Sequence, residues 1–170
     1  TDGSALLASL AFGLHAAGLW KDETGANVID SGAAYYDTYE TADGKWIAVG
    51  AIEPHFRSVL CEKLGICAAE AESREALDAL FRTRSRDQWC ALLEGSDACF
   101  APVLSLFEAP LHPHNRERGT FTEVAGVTQP APAPRYSETP TGAPTPLRDQ
   151  TDALLAELGY DAERIAALKE

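Results

Sequence analysis

The stretch YYDTYETADGKWIAVGA, residues 35–51, leaves its chain few choices. Aromatic and β-branched residues dominate it, and such residues fit a pleated, half-buried surface. Side chains alternate along an extended strand, so Tyr35, Asp37 and Tyr39 share one face while Tyr36, Thr38 and Glu40 share the other. Asp43-Gly44 supplies turn chemistry, and Trp46 to Val49 returns. A β-hairpin is predicted here, and the remaining elements have to be arranged around it.

The hairpin runs into AVGAIEPHF, residues 48–56, where a series of small and apolar residues ends at Glu53 and Pro54. Proline suits the first turn of a helix, because its missing amide hydrogen would have no intrahelical partner there. Phe56, Val59, Leu60 and Leu64 then recur at helical spacing, with Gly65 as a stop signal. Further helices are expected over about 73–84 and 86–94, the second started by Ser85 and Asp87. CFAPVLSL (99–106) reads as a short extended segment. APLHPHNRERGTFTEV reads as an extended stretch carrying His112 and His114, then a turn and a strand. Residues 127–147, rich in Pro, Thr and Ala, read as extended chain without periodicity. Two short helices close the sequence, split at Leu158-Gly159 and restarted by Asp161. At the other end, residues 4–20 form a helix that is apolar on most sides and therefore wants burial against something larger; KDETGANVIDSGAA (21–34) is turn-rich. The expected fold class is α+β: a small domain of β-hairpin or short antiparallel sheet plus helices, flanked by helices that belong to a large α/β domain outside this sequence. The corresponding boundaries are 1–25 for a helical segment of that larger domain, 26–125 for the small α+β domain, and 126–170 for an extended return segment with terminal helices. The sequence contains no methionine and begins inside a helical pattern, so it is expected to be a piece of a longer polypeptide.

Charge narrows the function. Fourteen Lys and Arg stand against 26 Asp and Glu, a formal net charge of −12. Nucleic acid and anionic lipid surfaces both demand a clustered basic face, and none is visible. No apolar run approaches the ~20 residues that span a bilayer, and the first residues lack the basic start of a signal peptide. Cys61, Cys67, Cys90 and Cys99 have no zinc-site spacing and read as reduced, half-buried thiols of a cytoplasmic protein. The four histidines have no metal-ligand company; His15, on an apolar helix, reads as a packed, hydrogen-bonded side chain. No Gly-x-Ser-x-Gly elbow, phosphate loop or dinucleotide fingerprint occurs. Glu53 remains. A carboxylate ahead of a first-turn proline can cap a helix, worth about 0.3–1 kcal/mol against the dipole. It can equally be displayed at the mouth of the hairpin for proton transfer.

GANVIDSGAAYYDTYETADGKWIAVGAIEPHF resembles the corresponding stretch of α-methylacyl-CoA racemases, within the family III CoA-transferase superfamily. SDACFAPVLS, HPHNRERGTF and LLAELGYDAERIAALKE carry the likeness across nearly the whole chain. The corner AIEPHF favours the racemase branch; acyl-group CoA-transferases usually show an Asn-Asp pair there. The resemblance implies interconversion of (R)- and (S)-2-methylacyl-CoA by removal and return of the α-proton through an enolate. It implies no metal or redox cofactor, coenzyme A being part of the substrate. Glu53 matches an acid/base residue of the family, and Tyr36, Ile29 and Asp30 match positions lining the site. The family's catalytic His and Asp lie upstream of residue 1, so the chain alone is expected to be inactive. The family's interlocked homodimer, acting in lipid metabolism, is the implied partner arrangement. Two alternatives stand beside this: CoA transfer between carboxylic acids, and a non-catalytic dimerisation or docking module.

Overall fold

The computed structural model describes residues 1–142 and 148–169, and the chain divides into two units, Thr1–Leu104 and Ser105–Glu170. In the first unit, α1 (Asp2–Leu7) and α2 (Ser9–Ala16) precede the hairpin strands β1 (Tyr36–Glu40) and β2 (Trp46–Gly50). Helices α3 (Pro54–Leu64), α4 (Ala68–Ala71), α5 (Arg74–Phe81) and α6 (Arg86–Leu93) follow, then β3 (Phe100–Val103). The sheet is antiparallel in the order β1–β2–β3, with Tyr36 opposite Gly50, Thr38 opposite Ala48, and Ala48 opposite Ala101.

The hairpin forms where expected. Thr41 and Lys45 close its loop (Thr41 N–H to Lys45 O, 2.8 Å), and Gly44 takes the left-handed φ of +72° that the turn requires. The Asp43 carboxylate fastens that loop to α6: it accepts from the Thr41 hydroxyl and, at 3.1 Å, from the Arg86 amide. These hydrogen bonds, the Thr41 hydroxyl first, hold the Asp43 carboxyl below its usual range. Pro54 opens α3 as predicted, and Gly65 closes it at φ +71°.

Period-two alternation splits the sheet into two unlike faces. Tyr39, Ile47 and Val49 point one way into the core, against Leu60 of α3, Leu77 and Phe81 of α5, and Trp89 and Leu93 of α6. Phe81 lies between two aromatic neighbours, its ring centroid 5.2 Å from those of both Tyr39 and Trp89. Each polar aromatic end is satisfied: Tyr39 OH donates to Ala34 O at 2.7 Å, and Trp89 Nε1–H donates to Phe81 O at 2.9 Å. Burial, with a smaller contribution from the Asp78 charge, pushes the Tyr39 phenol up to about 12. The folded state therefore keeps this proton after the unfolded chain, at about 10, has released it. Tyr39's contribution to stability is complete below pH 10 and is lost as pH rises from 10 towards 12. Urea denaturation across that range should show a steeper loss for the unaltered chain than for Tyr39→Phe.

The second unit contains the short 3₁₀ turn Ala109–Leu111, α7 (Pro113–Arg118), the antiparallel pair β4 (Phe121–Val124) and β5 (Val127–Pro130), then α8 (Thr151–Glu157) and α9 (Ala162–Ala167). One expectation is corrected here. His112 and His114 do not lie on an extended segment: His112 is the residue capping α7, His114 lies inside it, and Pro113 acts as a helix starter. Residues 127–130 are extended as expected, and they pair as well, returning against β4 through Ala125-Gly126, at φ +52° and +78°. Of the stretch expected to be extended, residues 143–147 lie outside the described residues. The terminal helices form as expected, with Asp161 accepting from the Arg164 amide at 2.8 Å. Arg135 donates to the Arg118 and Gly119 carbonyls, both at 2.6 Å, which satisfies the end of α7.

Candidate active site

The second face of the three-stranded sheet is open. Tyr36, Trp46 and Val103 on it are 37%, 45% and 40% exposed. Between these larger side chains the outward positions are small: Thr38, Ala48, Gly50 and Ala101. The result is a groove of about 480 Å³, which Ile29, Ser31, Tyr36, Cys99 and Phe100 also line.

Ile29 and Ser31 reach the groove from a tight loop, Val28–Gly32, that is folded around a single residue. Asn27 is buried, and its side chain engages the Lys21 amide and carbonyl at 2.8 and 3.0 Å. The Asp30 carboxylate accepts from the Asn27 amide at 2.6 Å and from Asn27 Nδ2 at 2.8 Å. These bonds, the Asn27 side chain first, hold the Asp30 carboxyl below its usual range. Ser31 adopts φ +78°, and at Gly32 an added Cβ would meet Asn27 backbone atoms at 2.5 Å, so only glycine fits. Of the residues singled out from sequence, Ile29 and Tyr36 therefore share the groove, whereas Asp30 does not line it and spends its carboxylate on the loop that presents Ile29.

Glu53 stands where β2 gives way to α3. Ala51 is buried and bonded to Tyr35 O at 2.9 Å, which fixes the turn. The Glu53 backbone has the extended conformation of a capping residue, φ −72° and ψ 139°, yet its side chain makes no cap hydrogen bond to α3. The side chain is exposed. Its charge is felt at the groove, because Cys99 is held above its usual range by burial first, then by Glu53 and Asp97. Cys99 itself sits at φ +49°, a conformation unusual for a side chain with a Cβ, and its carbonyl accepts from the Gly50 amide at 2.8 Å. The geometry thus gathers an exposed carboxylate, an apolar groove and a neutral thiol within one unit.

Residues 3–151 match the family described as CoA-transferase family III. The chain belongs to that family. This family III chain is 38% identical to "Alpha-methylacyl-CoA racemase" of Mus musculus and 36% identical to the protein of the same name from Homo sapiens, in each case over 98% of its own length and 48% of the relative's. It spans about half the length of these curated relatives. Its fold is shared with a CAIB/BAIF family protein from Brucella suis, at 24% identity and a TM-score of 0.62 over 91% of this chain and 45% of that one. A hypothetical protein from Mycobacterium tuberculosis shares it too, at 17% identity and a TM-score of 0.59, covering 90% of this chain and 44% of the other. Mixed helices with small antiparallel sheets are the architecture in common.

Sequence reasoning did not single out Ser31, Cys99 or the small floor of the family III groove. Thr38, Ala48 and Gly50 alternate with buried neighbours, and that alternation was a usable signal. The positive φ of Cys99 had none, because it arises from how the chain re-enters the sheet. Among the described residues no cluster of three or more His, Cys, Asp or Glu is arranged to hold a metal ion, and no helix is long and apolar enough to cross a membrane. All four cysteines are free; Cys67 is exposed rather than half-buried as expected. His15 has a ring nitrogen 3.2 Å from Trp20 O, and it is exposed rather than packed.

Proposed function

We propose that residues 1–170 form the smaller half of an α-methylacyl-CoA racemase, in which Glu53 is one of two acid/base groups working on opposite faces of the substrate. The observation that carries this reading is an exposed carboxylate, uncommitted to capping, three residues past Gly50 of an apolar groove and felt by its Cys99, in a chain 36–38% identical to named racemases. The chemistry is economical. A thioester carbonyl acidifies its α-proton; a base takes that proton, the C–H electron pair becomes the enolate, and a conjugate acid on the other face returns a proton to the same carbon. Hydrogen-bond donors near the thioester oxygen stabilise the enolate. The 2-methylacyl portion lies along the groove between Tyr36 and Ile29, over the floor of Ala48, Gly50 and Ala101. The opposing acid/base group and the coenzyme A contacts come from sequence outside residues 1–170, so the isolated chain is inactive. An interlocked homodimer and a cytoplasmic setting complete the reading; the four free thiols suit the latter. The exposed apolar side chains of α1 and α2, among them Leu7 at 86% and Phe12 at 70%, are consistent with a covering partner.

The test is isotope exchange. In deuterium oxide, a polypeptide of full family length carrying this chain should replace the α-hydrogen of 2-methylacyl-CoA by deuterium and equilibrate the two configurations, whereas residues 1–170 alone should do neither. Exchange by the isolated chain would refute the shared-site arrangement. Coenzyme A transfer to an added carboxylic acid without epimerisation would replace the racemase reading by the transferase one.

A further inference from the structure

Arg57 is the cation closest in sequence to Glu53 on α3, one helical turn away: its amide donates to Glu53 O at 3.0 Å. Within a helix, a glutamate with an arginine four residues later is the spacing in which ion pairs form, and Glu53, the residue that caps α3, stands at the edge of that register. No such pair exists here among the described residues. The Arg57 guanidinium lies instead over the ring of Tyr35, its carbon 4.1 Å from the ring centroid. Tyr35 is held in place from two directions: its carbonyl accepts from the Ala51 amide, two residues before Glu53, and its own side chain is half-buried. The strand exit that sets Glu53 on its corner is thus bonded to the residue that occupies Arg57.

We propose that Tyr35 is a positioning residue for the site: by stacking under Arg57 it keeps the guanidinium off Glu53, so that the carboxylate stays unpaired and free both to take and to give a proton. The inference rests on the acid/base reading of Glu53 and adds to it the reason that reading needs a tyrosine behind the corner. A carboxylate facing a guanidinium is stabilised as the anion and returns a proton poorly. A two-way proton shuttle has to avoid that neighbour, and a planar ring offers the planar guanidinium another place to rest. The other titratable groups around Glu53 do not substitute for this. Cys99, just ahead of β3, is held above its usual range by burial first and by the Glu53 and Asp97 charges after it. His55 is two residues on in α3, with its ring 3.8 Å from that of Phe56. Both remain unchanged in every variant below.

The experiment needs no turnover. The carboxyl ¹³C signal of Glu53 is followed by NMR against pH in the 170-residue chain and in variants. Tyr35→Leu should lower the Glu53 titration midpoint by about 0.5 pH unit, the effect of an opposite charge reduced by solvent. Tyr35→Leu combined with Arg57→Gln should return it to the original value, and Tyr35→Phe, which keeps the ring, should leave it there. Arg57→Lys, at a half-buried position of α3, keeps the charge and the stem and exchanges a flat stacking group for a compact point charge. It should shift the midpoint in the same direction as Tyr35→Leu, and it carries the test if Tyr35→Leu fails to fold. An unmoved midpoint in Arg57→Lys together with a folded, unmoved Tyr35→Leu overturns the proposal, as does a Tyr35→Leu shift that persists without Arg57. Because this readout is independent of catalysis, a confirmed shift alongside absent α-proton exchange would retire the racemase reading while leaving the Tyr35–Arg57 arrangement intact.

Discussion

Glu53→Gln, introduced into a polypeptide of full family length that carries residues 1–170, is expected to lower the interconversion of (R)- and (S)-2-methylacyl-CoA by about 10²–10⁴-fold, the usual worth of a positioned general acid/base. Glutamine keeps the shape and loses the exchangeable carboxyl proton, so the loss should fall on turnover far more than on substrate affinity. The Glu53 side chain makes no cap hydrogen bond to α3, so the melting temperature should barely move. The opposite pattern, unchanged turnover with a lowered melting temperature, would mean that the residue serves the α3 dipole instead. Deuterium wash-in and thermal melting, measured on the same preparation, separate the two outcomes.

The largest effect on stability is expected at Phe81. It is fully buried, with its ring 5.2 Å from both Tyr39 and Trp89, and it joins α5 to the sheet and to α6. Phe81→Ala removes an aromatic group from the centre of a close-packed cluster and leaves a cavity, which costs about 3–5 kcal/mol. Domains of this size are stable by only about 5–15 kcal/mol, so the variant should unfold at a much lower urea concentration and some of it should be unfolded without denaturant. Phe81→Leu, closer in volume, should cost less. The backbone carbonyl that accepts from Trp89 Nε1 is present in both variants, so the contrast reports on packing rather than on that hydrogen bond. Equal midpoints for the alanine and leucine variants would show that the cluster closes over the gap.

What could be read in advance followed from how local the signal was. The hairpin was legible because alternation, aromatic content and Asp43-Gly44 all agree within a few residues, and α3 was legible because Pro54 and Gly65 mark its two ends. The β4–β5 hairpin was not. Its turn uses Ala125 at φ +52°, a conformation alanine does not advertise, and Pro130 sits in a stretch that reads as extended but shows no alternation to set a pairing register. Pro113 misled in a similar way, since a proline between two histidines looks like an interruption and here begins a helix. For the groove, the resemblance pointed to Tyr36 and Ile29, which line it, and the sequence alone drew attention to Glu53, which stands three residues past its Gly50. The groove could not, because its floor exists only once β2 and β3 are in register and Ala48 lies opposite Ala101. Nor could the Tyr35–Arg57 stack, which joins two elements whose approach is set by the Ala51–Tyr35 hydrogen bond.

Because consecutive residues of β2 look in opposite directions, Ile47 and Val49 answer to folding while Ala48 and Gly50 answer to whatever is laid against the open side. Selection can therefore edit the two independently. Bulkier outward residues would shorten or narrow the groove and leave the aromatic cluster behind the sheet undisturbed, so the shape of this face can change without the protein first becoming harder to fold.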